Sequence, residues 1–380
     1  MIQIRSRIAQ FVIATLVAAA AVAAFATESM AQVRSTSSKG TSVAVRPRIR
    51  HVFVLVLENQ GYDTTFGKPS RAPYLAETLR KRGALLRNYY GIGHFSLDNY
   101  IAMISGLAPN HDTQIDCPRF VDFAEKGVAP HGQPIGVGCV FPAHVQTIAN
   151  QLEAKGLTWK GYMEDMGNDP KRESATCGHP VIGSADSTER ATRDDQYATK
   201  HDPFVYFHAI LDSESCKRNV VPLTQLEIDL QSASTTPNFA FITPSLCHDG
   251  HDRPCKNGEP GSLESANTFL EHWVPVVTKS AAFRKDGLLI ITFDEALSID
   301  ARACCDEPSG PNTTAPGVNG PGGGRIGAVL LSPFIKPGTV STVSYNHYSM
   351  LRSVEDMFGL DHLGYAGQKG LATFGRDVFR

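Results

Sequence analysis

The chain has 380 residues, 42% of them hydrophobic and 19% charged, enough to bury a large apolar core and too apolar for wholesale disorder. Its formal net charge of -2 offers no broad basic field, so nothing in the composition recommends nucleic acid as a partner.

At the start, Arg5 and Arg7 precede an apolar run from Phe11 to Phe25, and small residues follow at Ala24-Phe25-Ala26 and Ser29-Met30-Ala31. This pattern predicts a cleaved signal peptide over 1–31, export to the periplasm or beyond the cell, and no stable membrane span after cleavage. Residues 32–47 are rich in Ser, Thr, Lys and Arg without apolar periodicity, and predict a flexible leader, with one folded domain over 48–380. Eight cysteines form an even set in a chain that leaves the reducing cytosol, and no Cys-x-x-Cys pair occurs; disulfides are expected, with their connectivity open.

The run Val52–Leu57 is continuously apolar, as a strand covered on both faces of a parallel sheet would be, and it makes Glu58 a strand-end residue. A helix is expected over Tyr74–Arg82, stopped at Gly83. Next, Gly91-Ile92-Gly93-His94-Phe95-Ser96 passes from a glycine-containing loop into an apolar helix. Ser96 there suits either a nucleophile receiving a phosphoryl group at a helix N-terminus or an ordinary N-cap. Residues 108–144 and 166–200 predict long loop insertions on either side of a helix over Val145–Lys155.

Further apolar strands are expected at Phe239–Ile242, Leu288–Phe293 and Ile326–Leu331, with a helix over Leu263–Lys279. A third insertion, 302–324, contains Pro321-Gly322-Gly323-Gly324, which precedes a strand and therefore reads as a surface loop rather than a phosphate cradle. Strands alternating with helices predict an α/β fold, a three-layer sandwich with a mostly parallel central sheet. Ligands of such sheets gather beyond the carboxyl ends of the strands.

Three polar clusters follow strands. Glu58-Asn59 follows the first, Cys247-His248-Asp249-Gly250-His251-Asp252 the second and Asp294-Glu295 the third. Adjacent carboxylates are costly to desolvate unless a cation sits between them, so Asp294-Glu295 is either a metal site or a solvent-facing acidic turn. His248, Asp249, His251 and Asp252 place four potential ligands in five residues. His347 precedes the helix Met350–Phe358 and either points into the same site or packs beside a capping Asn346 or Ser344. Gly-x-Ser-x-Gly is absent, which argues against a serine-hydrolase elbow.

Taken together, Glu58-Asn59-x-x-Tyr62-Asp63-x-x-Phe66-Gly67, His94-Phe95-Ser96-Leu97-Asp98-Asn99-Tyr100 and Phe293-Asp294-Glu295 resemble the bacterial phosphoesterase family of the alkaline phosphatase superfamily, which includes secreted acid phosphatases and phospholipases C. Lys200-His201-Asp202-Pro203-Phe204, His248–Asp252 and Asn346-His347-Tyr348-Ser349 are similar to the secreted acid phosphatases that act on phosphoinositides. The resemblance implies an alkaline-phosphatase-like fold and a divalent ion (Mg, Ca, Mn or Zn) held by Glu58, Asn59, Asp294 and Glu295. It implies Ser96 as nucleophile, with His251 and His347 as catalytic partners and Asn99, His248, Asp249 and His201 around the phosphate. The substrate would be a phosphorylated small molecule or a phospholipid headgroup. Hydrolysis of a monoester is the first reading, phospholipase C or phosphodiesterase action the second, and an exported binding protein on a dead scaffold the third. Two-zinc members open with Asp where this chain has Glu58, and His-Phe-Ser replaces the His-Pro-Ser of some relatives.

Overall fold

The computed structural model describes residues 48–380; the expected signal peptide and leader lie outside them. Eight strands form the main sheet: β1 (His51–Leu57), β2 (Ala84–Tyr90), β5 (Trp159–Met163), β6 (Val220–Pro222), β7 (Phe239–Thr243), β8 (Gly287–Phe293), β9 (Ala328–Leu331) and β10 (Thr339–Asn346). Their spatial order is β10-β2-β9-β8-β1-β7-β5-β6. Every pairing is parallel except the two that β9 makes, with β2 and with β8. The expected strand at Ile326–Leu331 therefore exists but runs against its neighbours.

The continuous apolar runs are explained by burial on both faces: all seven residues of β1 and of β8 are buried. Alternate side chains point to opposite faces, and different helices meet them. Phe53 packs on Phe283 of the helix Ala281–Asp286 at 6.5 Å. One residue along, Val54 is in register with Phe241, which packs on Tyr100 of the helix Ser96–Ser105 at 6.0 Å. Sheet between helical layers is the three-layer α/β arrangement anticipated from the sequence.

Differences lie mainly in the insertions and helix ends. Residues 108–144 are not all loop: β3 (Ala124–Ala129) and β4 (Gln133–Val137) form an antiparallel hairpin. The helix expected from Val145 begins at Ile148, because Thr147 and Asn150 close a capping box there. Tyr74–Arg82 is helical, but its first six residues are wound as a π-helix. Strands β2, β5, β6 and β10 carry no continuous apolar run of the kind that revealed β1 and β8. All eight cysteines are paired, as Cys117–Cys139, Cys177–Cys216, Cys247–Cys255 and Cys304–Cys305. No described helix is long and apolar enough to cross a membrane.

Candidate active site

Register builds the site. Because Leu57 lies opposite Phe293, the residues that follow, Glu58 and Asp294, leave the sheet side by side. The Asp294 N–H still donates to the Leu57 carbonyl, and on the other flank the Glu58 N–H donates to the Asp249 carbonyl at 2.8 Å, drawing in the turn after β7. Glu58, Asp249 and Asp294 are fully buried. The Glu58 carboxylate accepts from Ser96 Oγ at 2.7 Å, Tyr100 Oη at 2.7 Å and Asn59 Nδ2 at 3.0 Å. Ser96 is the first residue of its helix and does not cap it, since Phe95 occupies the N-cap position.

Above these groups opens a cleft of about 340 Å³, lined by Asn59, His94, Phe95, Ser96, Asp116, Lys200, His251, Glu295 and Ser298. It is at the small end of pockets that take whole small molecules. Burial raises the carboxyls of Glu58, Asp249 and Asp294 above their ordinary range, and mutual repulsion adds to this for Asp249 and Asp294. One oxygen each of Asp249 and Asp294 has no hydrogen-bond partner, nor has either ring nitrogen of buried His201, whose Nε2 stands 3.5 Å from Glu58. Buried polar atoms are rarely left so, and carboxylate oxygens beside a neutral imidazole are donor types that a divalent cation takes. Among the described residues, the three donor side chains that lie within 4.8 Å of one another are Cys247, His248 and Glu259, but that sulfur is spent in a disulfide.

Several residues singled out from sequence sit elsewhere than expected. His248 does not line the cleft; it is held between Glu164 at 2.9 Å and Glu259 at 3.0 Å. Asn99 does not face it either: its amide accepts from the Ile92 and Gly93 N–H groups and donates to the Gly93 and Phe95 carbonyls, clamping the loop before Ser96. His347 is buried beneath the site, with Nε2 2.6 Å from the Asp294 carbonyl oxygen and Nδ1 3.3 Å from Tyr89 Oη. Burial pushes its pKa down to about 4, so it is neutral and fixes the Asp294 backbone rather than reaching the cleft. Asn346, rather than Ser344, caps that helix.

The cleft also holds groups not assigned from sequence. His94 meets Glu295 at 2.6 Å. Burial works to lower the pKa of His94, and the Glu295 carboxylate overrides it and raises it. Lys200 pairs with Asp116 at 2.8 Å, and the other Asp116 oxygen accepts the Leu97 N–H at 3.0 Å, so an ammonium is anchored beside the N-terminus of the Ser96 helix. Nothing local in the sequence joins Lys200 to Asp116, 84 positions away.

His248 gives a pH test outside the cleft. Burial opposes its charge, but Glu164 and Glu259 hold the pKa up at about 9, against an ordinary 6.5. A raised histidine contributes stability that is complete below 6.5 and lost as pH rises through 9. His248→Gln should therefore destabilise the protein by on the order of 1 kcal/mol at pH 6 and by much less at pH 10. Paired thermal melts at the two pH values would show it; equal losses would refute the charged pairing.

The Phosphoesterase family profile matches residues 68–361. The chain is 26% identical over 318 residues to a probable acid phosphatase of Kluyveromyces lactis, covering 83% of this chain and 59% of that one. It is 28% identical over 286 residues to a phosphate-repressible acid phosphatase of Penicillium chrysogenum, covering 75% and 54%, so it spans little more than half the length of these two relatives. With a phosphatidylinositol-3-phosphatase of Mycobacterium tuberculosis it shares 23% identity over 327 residues, covering 86% and 83%. Among solved structures, a Vibrio parahaemolyticus protein in the alkaline phosphatase superfamily aligns with TM-score 0.45 and 14% identity, over 83% of this chain and 68% of that chain. With the family match running over more than three quarters of its length, this chain belongs to the Phosphoesterase family.

Proposed function

We propose that the protein is an exported, divalent-metal-dependent phosphatase that hydrolyses phosphate monoesters through Ser96. The observation that carries this reading is the Ser96 hydroxyl donating to Glu58 at 2.7 Å beside two carboxylates, of Asp249 and Asp294, that each keep an oxygen unpartnered. The acid phosphatase and phosphatidylinositol-3-phosphatase relatives support it, and the last points to a phosphorylated small molecule or a phospholipid headgroup as substrate. Four disulfides support export.

The cation would be held by Glu58, Asn59, Asp294 and Glu295, with Asp249 as a further oxygen donor; oxygens favour Mg, Ca or Mn, and histidine participation zinc. When bound, it would neutralise charge on the phosphoryl oxygens and ease ionisation of the serine. Glu58 orients the Ser96 hydroxyl and takes its proton as the Oγ–P bond forms and the ester oxygen leaves; water then cleaves the phosphoserine to inorganic phosphate. His251, which lines the cleft, would give the departing oxygen a proton.

Lys200 supplies the fixed positive charge for the phosphoryl group. Lys200→Met should weaken inhibition by inorganic phosphate about tenfold or more, the loss of one charge-assisted hydrogen bond, with a smaller effect on the turnover number. An unchanged inhibition constant would remove Lys200 from the binding site.

The overall reading is tested by assaying wild type on nitrophenyl phosphate, bis-nitrophenyl phosphate and phosphatidylcholine with each divalent ion added back. Release of phosphate from the monoester is expected. Exclusive cleavage of the diester or lipid would make it a phosphodiesterase, and no hydrolysis at all would leave an exported binding protein.

A further inference from the structure

Phe95 holds a backbone conformation that its side chain makes unfavourable. Its φ of 82° and ψ of 139° lie in a region that glycine enters freely and that is an outlier for a bulky residue. Two other residues lining the cleft also have positive φ, Asn59 at 56° and Asp116 at 58°, but these are the short polar types that tolerate it. The Phe95 conformation is enforced: Asn99 Nδ2 grips its carbonyl oxygen at 3.1 Å, and the chain must turn there to present Ser96. Glycine would meet that requirement without strain. The ring does not repay the cost by packing, since Phe95 is 42% exposed. It is also the one apolar side chain among the described residues lining the cleft.

An exposed, strained aromatic beside the Ser96 hydroxyl, on a cleft lined otherwise by polar side chains, lies where an ester held at Ser96 would extend. We propose that Phe95 is a specificity-determining residue whose ring stacks on the leaving group, so that the site takes monoesters of ring-bearing alcohols in preference to those of short open-chain polyols. A phenyl ring offers dispersion and edge contacts to a flat or apolar face and no hydrogen bond to a polyol. The inference rests on Ser96 being the phosphoryl acceptor.

The test compares 2-naphthyl phosphate with glycerol 3-phosphate for the full chain and its Phe95→Gly, Phe95→Ala and Phe95→Tyr variants; the ratio of ratios cancels the esters' own reactivities. Phe95→Gly and Phe95→Ala should raise KM for the naphthyl ester about five- to tenfold and change KM for the glycerol ester less than twofold. Phe95→Tyr should keep the wild-type ratio. Thermal melting of Phe95→Gly should exceed that of Phe95→Ala, because only glycine relieves the backbone. Equal changes for both esters would overturn the proposal while leaving the phosphatase reading standing. Hydrolysis of neither ester by wild type, with divalent ions present, would overturn both.

Discussion

Ser96→Ala should lower turnover at least about a thousandfold while the protein still folds and still binds inorganic phosphate. The size of the loss follows from what remains: without the hydroxyl no phosphoserine forms, and the cleft can only hold the ester. The small effect on folding follows from geometry. Ser96 is not the cap of its helix, and Glu58 keeps its hydrogen bonds from Tyr100 and Asn59 when the serine donor is gone. A stability change of no more than about 1 kcal/mol is expected, the net worth of one hydrogen bond. Lys200, anchored on Asp116, still attracts the phosphate. Steady-state kinetics, phosphate inhibition and a thermal melt on the same variant separate these effects, and acid quenching of wild type during turnover should place a phosphoryl group on the Ser96 peptide. Near-normal turnover in Ser96→Ala would end the covalent mechanism.

Asp294→Asn should cost at least about a hundredfold in activity and most of the bound metal, and yet raise the melting temperature measured in chelator. Asp294 is buried beside Glu58 and Glu295, and burial first, then their charges, raise its carboxyl well above the ordinary 3.8. Glu295 is likewise raised, to about 7, chiefly by burial. Without a cation these groups hold their protons to higher pH in the folded protein than in the unfolded chain, so across that interval unfolding releases protons. Metal-free wild type should therefore be most stable at low pH and lose stability as pH rises through the folded values, near 7 for Glu295. Asp294→Asn removes one of the repelling charges and should flatten that decline. Elemental analysis and melts between pH 5 and pH 8 read both consequences. Wild-type metal content in the variant would remove Asp294 from the ligand set.

Local pattern was enough for part of this protein. The runs at β1, β7 and β8 must be covered on both faces because no alternation is left to face water, and that alone implies a mostly parallel sheet between helices. It also puts Glu58, the His248–Asp252 turn and Asp294-Glu295 at strand ends, where sites of such folds collect. Strands β2 and β10 were not legible: Arg87 and Asn88 interrupt one, and the other carries exposed residues on its outer positions, so each reads as strand only once its neighbour is in place.

Within the site, residue type announced a cluster, but orientation was decided by tertiary contacts. His248 and Asp249 are adjacent in sequence, yet one turns to Glu164 and Glu259 while the other is buried beside Glu58. Asn99 and His347 were visible as polar residues near the right helices, but satisfying buried backbone groups claims both side chains. The Lys200–Asp116 pair and the His94–Glu295 pair come from segments joined only by folding. The layered sheet, the acidic strand ends and the serine at a helix start follow from periodicity and residue type. Which of the polar side chains face the cleft was decided by the tertiary structure, because each must satisfy its hydrogen bonds and charge against groups as far as 258 residues away in the chain.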